Sequence, residues 1–85
     1  MYQITITQSV LKELKQLQKP VVQKIEKLIS GLASNPRPVG FKKLKGKDGN
    51  IYRVRSGDFR VIYAIEDAIR IVEIRKIGHR KDIYR

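Results

Sequence analysis

The chain has 85 residues, no cysteine, and 19 lysines and arginines against 8 acidic residues, which gives a formal net charge of +11. So short a chain can bury one small hydrophobic core, and the lack of cysteine excludes a disulfide framework and zinc sites built on cysteine. The sequence also lacks a Gly-rich phosphate loop, a serine elbow and a carboxylate cluster suited to metals, so we predict one domain over residues 1–85 without a metal or cofactor.

The first segment, residues 2–7, predicts a half-buried strand. Its apolar residues alternate with polar ones and so share one face: Tyr2, Ile4 and Ile6. This alternation differs from the unbroken apolar run of a signal peptide. No apolar stretch in the chain approaches the ~20 residues of a membrane-spanning helix. We therefore expect a cytoplasmic protein that has no membrane partner.

Two helices are predicted next. Thr7 or Ser9 can cap the first helix, whose apolar residues recur at helical spacing: Val10, Leu11, Leu14 and Leu17. Pro20 suits the first turn of the second helix, whose apolar stripe is Val21, Val22, Ile25, Leu28, Ile29 and Leu32. We expect this helix to end near Gly31 or Ala33. Two adjoining helices of this length predict a helical hairpin that covers one face of a sheet.

Strands and turns are predicted after residues 35–38 (NPRP), which break the second helix. The expected strands cover residues 41–44, 51–55, 59–65 and 69–77, with turns at 47–50, 56–58 and 66–67. Strands linked in series by short turns imply an antiparallel meander of three to four strands. The predicted class is α+β, with an N-terminal strand, a helical hairpin and then this meander, the helices lying on one sheet face.

Positive charge is concentrated between residues 41 and 60. This segment has seven basic residues against Asp48 and Asp58, and they are Lys42, Lys43, Lys45, Lys47, Arg53, Arg55 and Arg60. A cluster of this kind indicates a polyanionic partner, which inside a cell is most often a nucleic acid or the ribosome. The alternative is a basic surface that only keeps the protein in solution, and the clustering favours a binding surface.

The three arginines of this segment are candidates for a role in RNA cleavage. Arg53 and Arg55 share one face of a predicted strand, and Arg60 follows across a short turn. RNA carries its own nucleophile, the 2′-hydroxyl, so a protein needs only to align the atoms, offset phosphate charge and assist proton transfer. A solvated outer sheet face is the alternative. All three are arginines rather than a mixture with Glu and Thr, and the predicted helices occupy the opposite face of the sheet. We therefore expect an uncovered, arginine-lined face that forms a cradle for RNA, because a planar guanidinium binds two phosphate oxygens at once.

The end of the chain, residues 77–85, combines basic residues with His79 and Tyr84. A basic tail is ordinarily solvated, but imidazole and phenol groups can both stack on bases and transfer protons. A single histidine excludes an acid–base pair of two histidines. Ile83 indicates that this segment docks on the body of the protein.

Two segments of the chain resemble the RelE/ParE toxin superfamily. They are residues 52–63 (YRVRSGDFRVIY) and 77–84 (IGHRKDIY), and the similarity extends over nearly the whole chain. The resemblance implies a toxin of a type II toxin–antitoxin system that enters the ribosomal A site and cleaves mRNA by 2′-hydroxyl attack. It also implies a cognate antitoxin that wraps the toxin, and contact with operator DNA only through the toxin–antitoxin complex.

The resemblance also implies roles for individual residues. Arg53 and Arg55 match basic residues that contact the phosphate, Arg60 and Arg80 match arginines that stabilise the transition state, and Tyr84 matches a tyrosine that stacks on substrate or acts as base. Four lysines are assigned to RNA or ribosome binding: Lys42, Lys43, Lys45 and Lys47. Some relatives have lysine where this chain has Arg53 and Arg55. Because arginine stays protonated, those two positions act electrostatically, and the base is Tyr84 or His79.

Two other functions are compatible with the same residues. A toxin of the ParE branch has this fold but poisons DNA gyrase and has no nuclease activity. A non-catalytic module that binds RNA or the ribosome would need only the arginines and aromatic residues. The combination of the basic strand with Arg80 and Tyr84 favours the metal-independent ribonuclease.

Overall fold

The computed structural model describes residues 1–44 and 50–79. Within these residues the elements are β1 (Gln3–Ile6), α1 (Gln8–Gln16), α2 (Lys19–Ser34), β2 (Lys42–Lys43), β3 (Ile51–Ser56), β4 (Phe59–Glu66) and β5 (Ile71–His79). The predicted α+β class and the order of strand, helical hairpin and successive strands are confirmed. Most of the turn predicted at residues 47–50 lies outside the described residues.

The five strands form one mixed sheet in the order β1-β5-β4-β3-β2. Strands β2 to β5 pair antiparallel, as the meander prediction requires, whereas β1 pairs parallel with β5 at the edge of the sheet. A parallel pair needs a long crossover connection, and the helical hairpin lies within it. The place of β1 beside the last strand was not predicted.

The helix ends follow the sequence signals closely. Of the two predicted caps, Thr7 is the one used, and its hydroxyl oxygen accepts a hydrogen bond from the Val10 N–H at 3.4 Å. Pro20 lies in the first turn of α2, as predicted. The helix continues through Gly31 to Ser34, one residue beyond the expected end at Ala33.

The hydrophobic core lies between the helices and one face of the sheet. The helices contribute Val10, Ile25, Ile29 and Leu32, and the sheet contributes Tyr52, Val54, Val61, Tyr63, Ile65, Val72, Ile74 and Ile77. Complete burial of one valine, leucine or isoleucine side chain contributes about 1.5–3 kcal/mol to the stability of the fold. The face of the sheet toward the helices is therefore used for packing. In the described ranges, neither helix is long and apolar enough to cross a membrane.

The turn between β3 and β4 consists of Gly57 and Asp58, because Ser56 pairs directly with Phe59. Gly57 has φ +61°, in the left-handed region that side chains with a Cβ rarely adopt. The turn therefore depends on glycine at this position. It also sets the register that places Arg55 beside Arg60.

We expect Gly57→Ala to destabilise the fold by about 1 kcal/mol, because the added Cβ strains a left-handed backbone. The measurement is urea denaturation of the purified protein. Gly31→Ala is the matched control, because Gly31 lies inside α2 with open space at its Cβ position. That exchange should stabilise the protein by roughly 0.5–1 kcal/mol. A Gly57→Ala variant as stable as wild type would contradict this account of the turn.

The connection between β4 and β5 is longer than predicted. The turn expected at residues 66–67 lies at residues 67–70, because Glu66 still belongs to β4, and β5 begins at Ile71 instead of Ile69. Arg70 has φ +54°, which interrupts extended backbone, and Ile69 is 66% exposed. The apolar side chain of Ile69 therefore gave a misleading strand signal, since it belongs to the turn.

Candidate functional site

The candidate site is on the face of the sheet opposite the helices. In β3 the buried residues Tyr52 and Val54 point toward the helices, with 6% and 4% of their surfaces exposed. Arg53 and Arg55 alternate with them, so they project from the other face. The predicted division of β3 into an apolar side and an arginine side is confirmed.

Pairing between β3 and β4 brings the third predicted arginine to the same place. Arg55 lies directly opposite Arg60, and Arg53 lies opposite Ile62. Directly opposed residues have their Cβ atoms about 4.5–5.5 Å apart and project from the same face. The three arginines thus occupy neighbouring positions near the β3–β4 turn.

Arg60 is more enclosed than an outer sheet face predicts. Only 7% of the residue is exposed, and its Nε and Nη1 atoms are buried. The expectation of an uncovered arginine face is therefore wrong at this position, although Arg55 is exposed. A guanidinium shielded from bulk water interacts more strongly with a nearby phosphate than one in solvent does.

A β-bulge determines which residues of β5 join the arginines. Ile62 pairs with Lys76 and the next residue, Tyr63, pairs with Ile74, so Arg75 is the extra residue of β5. The bulge reverses the alternation, and Lys76 consequently lies on the outer face. Lys76 was not predicted as a site residue. The signal was the spacing of the apolar residues Val72, Ile74 and Ile77, which departs from a two-residue period.

We call this outer surface the basic face, and its residues are Lys42, Arg53, Arg55, Arg60 and Lys76. Lys42 belongs to it because it pairs with Arg53, whereas the neighbouring Lys43 pairs with the inward-facing Tyr52. Both lysines are exposed. Across residues 1–44 and 50–79, no group of three or more His, Cys, Asp or Glu side chains is arranged to hold a metal ion.

His79 lies on the other face of β5. It pairs with Phe59, and the two rings meet edge to face with centroids 5.8 Å apart. Since Phe59 packs against the core, the register separates His79 from the arginine side chains. The remaining predicted site residues lie outside the described residues: Lys45, Lys47, Arg80 and Tyr84.

A family model described as the ParE toxin of type II toxin–antitoxin system, parDE, matches residues 4–84. The chain belongs to the RelE/ParE toxin family. The resemblance stated from the sequence is confirmed.

Relatives and solved structures agree with this assignment. A protein of Methanocaldococcus jannaschii described as "Putative toxin RelE1" is 41% identical over 99% of this chain and 96% of its own length. Toxin RelE of Mycobacterium tuberculosis is 33% identical over 99% of this chain and 87% of its own length. The archaeal RelE–RelB complex from Pyrococcus horikoshii contains a chain with TM-score 0.83 and 31% identity, covering 93% of this chain and 94% of that one.

A second polar cluster lies at the opposite end of β4 from Arg60 in this RelE/ParE toxin. Arg37, from the loop after α2, donates two hydrogen bonds to the Asp67 carboxylate at 2.9 and 3.3 Å, and a third to the Tyr52 hydroxyl at 3.2 Å. Tyr2 donates to the same carboxylate at 2.6 Å. These bonds join the loop after α2, the start of the chain and the β4–β5 turn.

The cluster alters the ionisation of its members. Hydrogen bonds from Arg37, and then from Tyr2, lower the pKa of Asp67. The Asp67 carboxylate in turn raises the pKa of Tyr2 and of Arg37. Nearby, burial raises the pKa of Tyr63 to about 12, and its hydroxyl donates to the Pro36 carbonyl at 2.8 Å. These contacts hold the loop to the sheet and lie away from the basic face.

We expect Asp67→Asn to flatten the loss of stability in acid. Because folding lowers the pKa of Asp67, its contribution is present above the unfolded pKa of about 3.9 and is lost as pH falls through the folded value. The measurement is thermal unfolding from pH 7 down to pH 2. Asp58→Asn is the control, because Asp58 forms no salt bridge with a described residue. Parallel acid curves for wild type and Asp67→Asn would contradict this role.

Proposed function

We propose that this RelE/ParE toxin is a metal-independent endoribonuclease that cleaves mRNA in the ribosomal A site and so stops translation. The observation that carries the proposal is the arrangement of Arg53, Arg55 and Arg60 at neighbouring positions on one sheet face. The names of relatives, which are RelE toxins, support it. The fold alone does not decide the activity, because one fold can carry several functions.

The proposed reaction uses the RNA as its own nucleophile. The 2′-oxygen loses its proton and attacks the adjacent phosphorus, the bond from phosphorus to the 5′-oxygen breaks, and that oxygen takes up a proton. The products are a 2′,3′-cyclic phosphate and a 5′-hydroxyl. Negative charge grows on the phosphate oxygens in the transition state, where positioned guanidinium groups stabilise it. Arg60 is the residue best suited to this role, because it is the most enclosed of the three arginines.

Proton transfer from the 2′-hydroxyl is assigned to Tyr84 in this proposal. Arg53 and Arg55 remain protonated and cannot accept it. His79 is disfavoured because its ring lies against Phe59, on the side of the sheet away from the arginines. A tyrosine has an ordinary pKa near ~10, and nearby cationic groups lower it toward the range where it can act as base.

The proposal includes the partners and location of the protein. A cognate antitoxin is expected, since the structural relatives include RelE–RelB toxin–antitoxin complexes. Operator DNA would be contacted only through that complex. The ribosome and its mRNA are the proposed targets, contacted by Lys42 and its neighbouring lysines, and the cytoplasm is the proposed location. No cofactor is required by this chemistry.

A second candidate function is inhibition of DNA gyrase. The matching family model is described as a ParE toxin, and the resemblance associates that branch with gyrase. The basic face favours the ribonuclease over the gyrase inhibitor. Cleavage of RNA needs cationic groups around the scissile phosphate, whereas binding to gyrase involves no such phosphate.

The deciding experiment is a purified translation reaction with one defined mRNA, run beside a gyrase supercoiling assay. The proposed function predicts cuts within codons at the A site, with 5′-hydroxyl ends mapped by primer extension. Intact mRNA together with inhibited supercoiling would establish the gyrase target instead. Intact mRNA with toxin bound to ribosomes would leave a non-catalytic binding module.

A further inference from the structure

The basic face has a second row of cationic side chains beside the arginine pair at the β3–β4 turn. This row crosses four strands through three pairings, which are Lys42 with Arg53, Arg53 with Ile62, and Ile62 with Lys76. The first row is Arg55 opposite Arg60, followed on β5 by Gly78. The two rows are two residues apart along each strand, a distance of about 6.6 Å. This is close to the spacing of successive phosphates along an extended RNA strand.

Lys76 is available for an external ligand. It is exposed and forms no salt bridge with any residue in the described ranges. Its neighbour Arg75, the extra residue of the bulge, is already paired with Glu73, with Nε and Oε1 2.8 Å apart. The bulge thus places the lysine on the basic face and leaves the adjacent arginine to neutralise the nearby carboxylate.

Ile62 separates Lys76 from Arg53 within the row. Neighbouring strands are about 4.8 Å apart, so these two cationic residues flank the isoleucine at roughly 10 Å. Ile62 is half-buried and has no polar side-chain group. It can support a sugar or a base, while the cations on either side are close enough to hold one phosphate between their flexible ends.

We propose that Lys76, together with Arg53, binds a second phosphate of the RNA, one nucleotide away from the scissile phosphate held by Arg55 and Arg60. The inference rests on the proposed function, because it takes the first row as the reaction site. Its role is to hold the strand in register with the reacting atoms. Contacts to a phosphate fix position without reading sequence, so the effect of Lys76 is the same for every codon.

The test is binding of a short single-stranded RNA whose cleavage site lacks the 2′-hydroxyl. Dissociation constants are measured over a range of salt for wild type, Lys76→Gln and the control Lys12→Gln. Lys12 is exposed on α1, on the helical side of the protein, and its exchange removes the same charge. We expect the slope of log affinity against log salt to fall by about 0.7 for Lys76→Gln, as for one lost phosphate contact on a single strand. Lys12→Gln should retain the wild-type slope.

A modified RNA locates the contact. Replacing the neighbouring phosphate by an uncharged methylphosphonate should weaken binding to wild type more than binding to Lys76→Gln, in which only the Arg53 contact to that phosphate remains to be lost. The two variants Lys76→Gln and Lys12→Gln could instead show equal slopes while wild type still cuts mRNA in the translation reaction. That result would overturn this inference and leave the proposed function standing. A wild-type protein that neither binds the RNA nor cuts mRNA would overturn the proposed function as well.

Discussion

Replacing Arg60 with alanine is expected to lower the rate of mRNA cleavage by about 100- to 1,000-fold, the usual cost of removing one positioned group that stabilises transition-state charge. Arg60 lies beside Arg55 and is almost fully enclosed, so water cannot readily substitute for its guanidinium. Arg60→Lys should recover part of the rate, because lysine keeps the charge but cannot bind two phosphate oxygens in the planar arrangement of arginine. The measurement is the first-order rate of cleavage in the translation reaction.

Two controls separate this effect from a loss of folding. Thermal unfolding of both Arg60 variants shows whether the buried position tolerates the exchange. Arg70→Asn removes an arginine from the β4–β5 turn, at the far end of the sheet, and asparagine tolerates the left-handed backbone found there. This variant should cleave at the wild-type rate. A folded Arg60→Ala protein with a rate within a few-fold of wild type would remove Arg60 from the reaction.

The second large effect is expected from Tyr84→Phe, which should slow cleavage by roughly 100- to 10,000-fold, the range for a general base. His79→Gln should change the rate only a few-fold, because His79 is on the side of Phe59 and the core. Its main effect should be on stability, through the lost ring contact with Phe59.

The pH dependence of the rate distinguishes the two residues. If His79 were the base, the acid limb of the wild-type rate profile would be absent in His79→Gln. We expect the same acid limb in wild type and in His79→Gln. A rate that collapses in His79→Gln while Tyr84→Phe remains active would reverse the assignment.

Local patterns predicted those parts of the fold that depend on neighbouring residues. The alternation in β3 placed Tyr52 and Val54 inward and its arginines outward, because successive side chains of a strand point to opposite faces. The cap at Thr7 and the turn at Gly57 were also predictable, since each depends on the chemistry of one residue and its immediate backbone.

Features that depend on distant residues were not predictable. Tyr2 and Asp67 are 65 residues apart in sequence, and their hydrogen bond depends on β1 lying beside β5. The enclosure of Arg60 likewise depends on what packs around it in three dimensions. Lys76 and Arg75 are adjacent basic residues, and only the pairing of β5 with β4 shows which one joins the basic face.

The extra residue in β5 lets the two halves of this strand serve two different roles. Before Arg75 the strand must match β1 and the core, and after it the strand must present side chains beside the arginines. The unpaired residue shifts the alternation of inner and outer side chains by one position, so each half of β5 has an alternation of its own. Variation in the packing half of β5 therefore need not alter the chemistry of the other half. If Arg75 instead took a regular place in the ladder, the inner and outer residues from Lys76 onward would be exchanged.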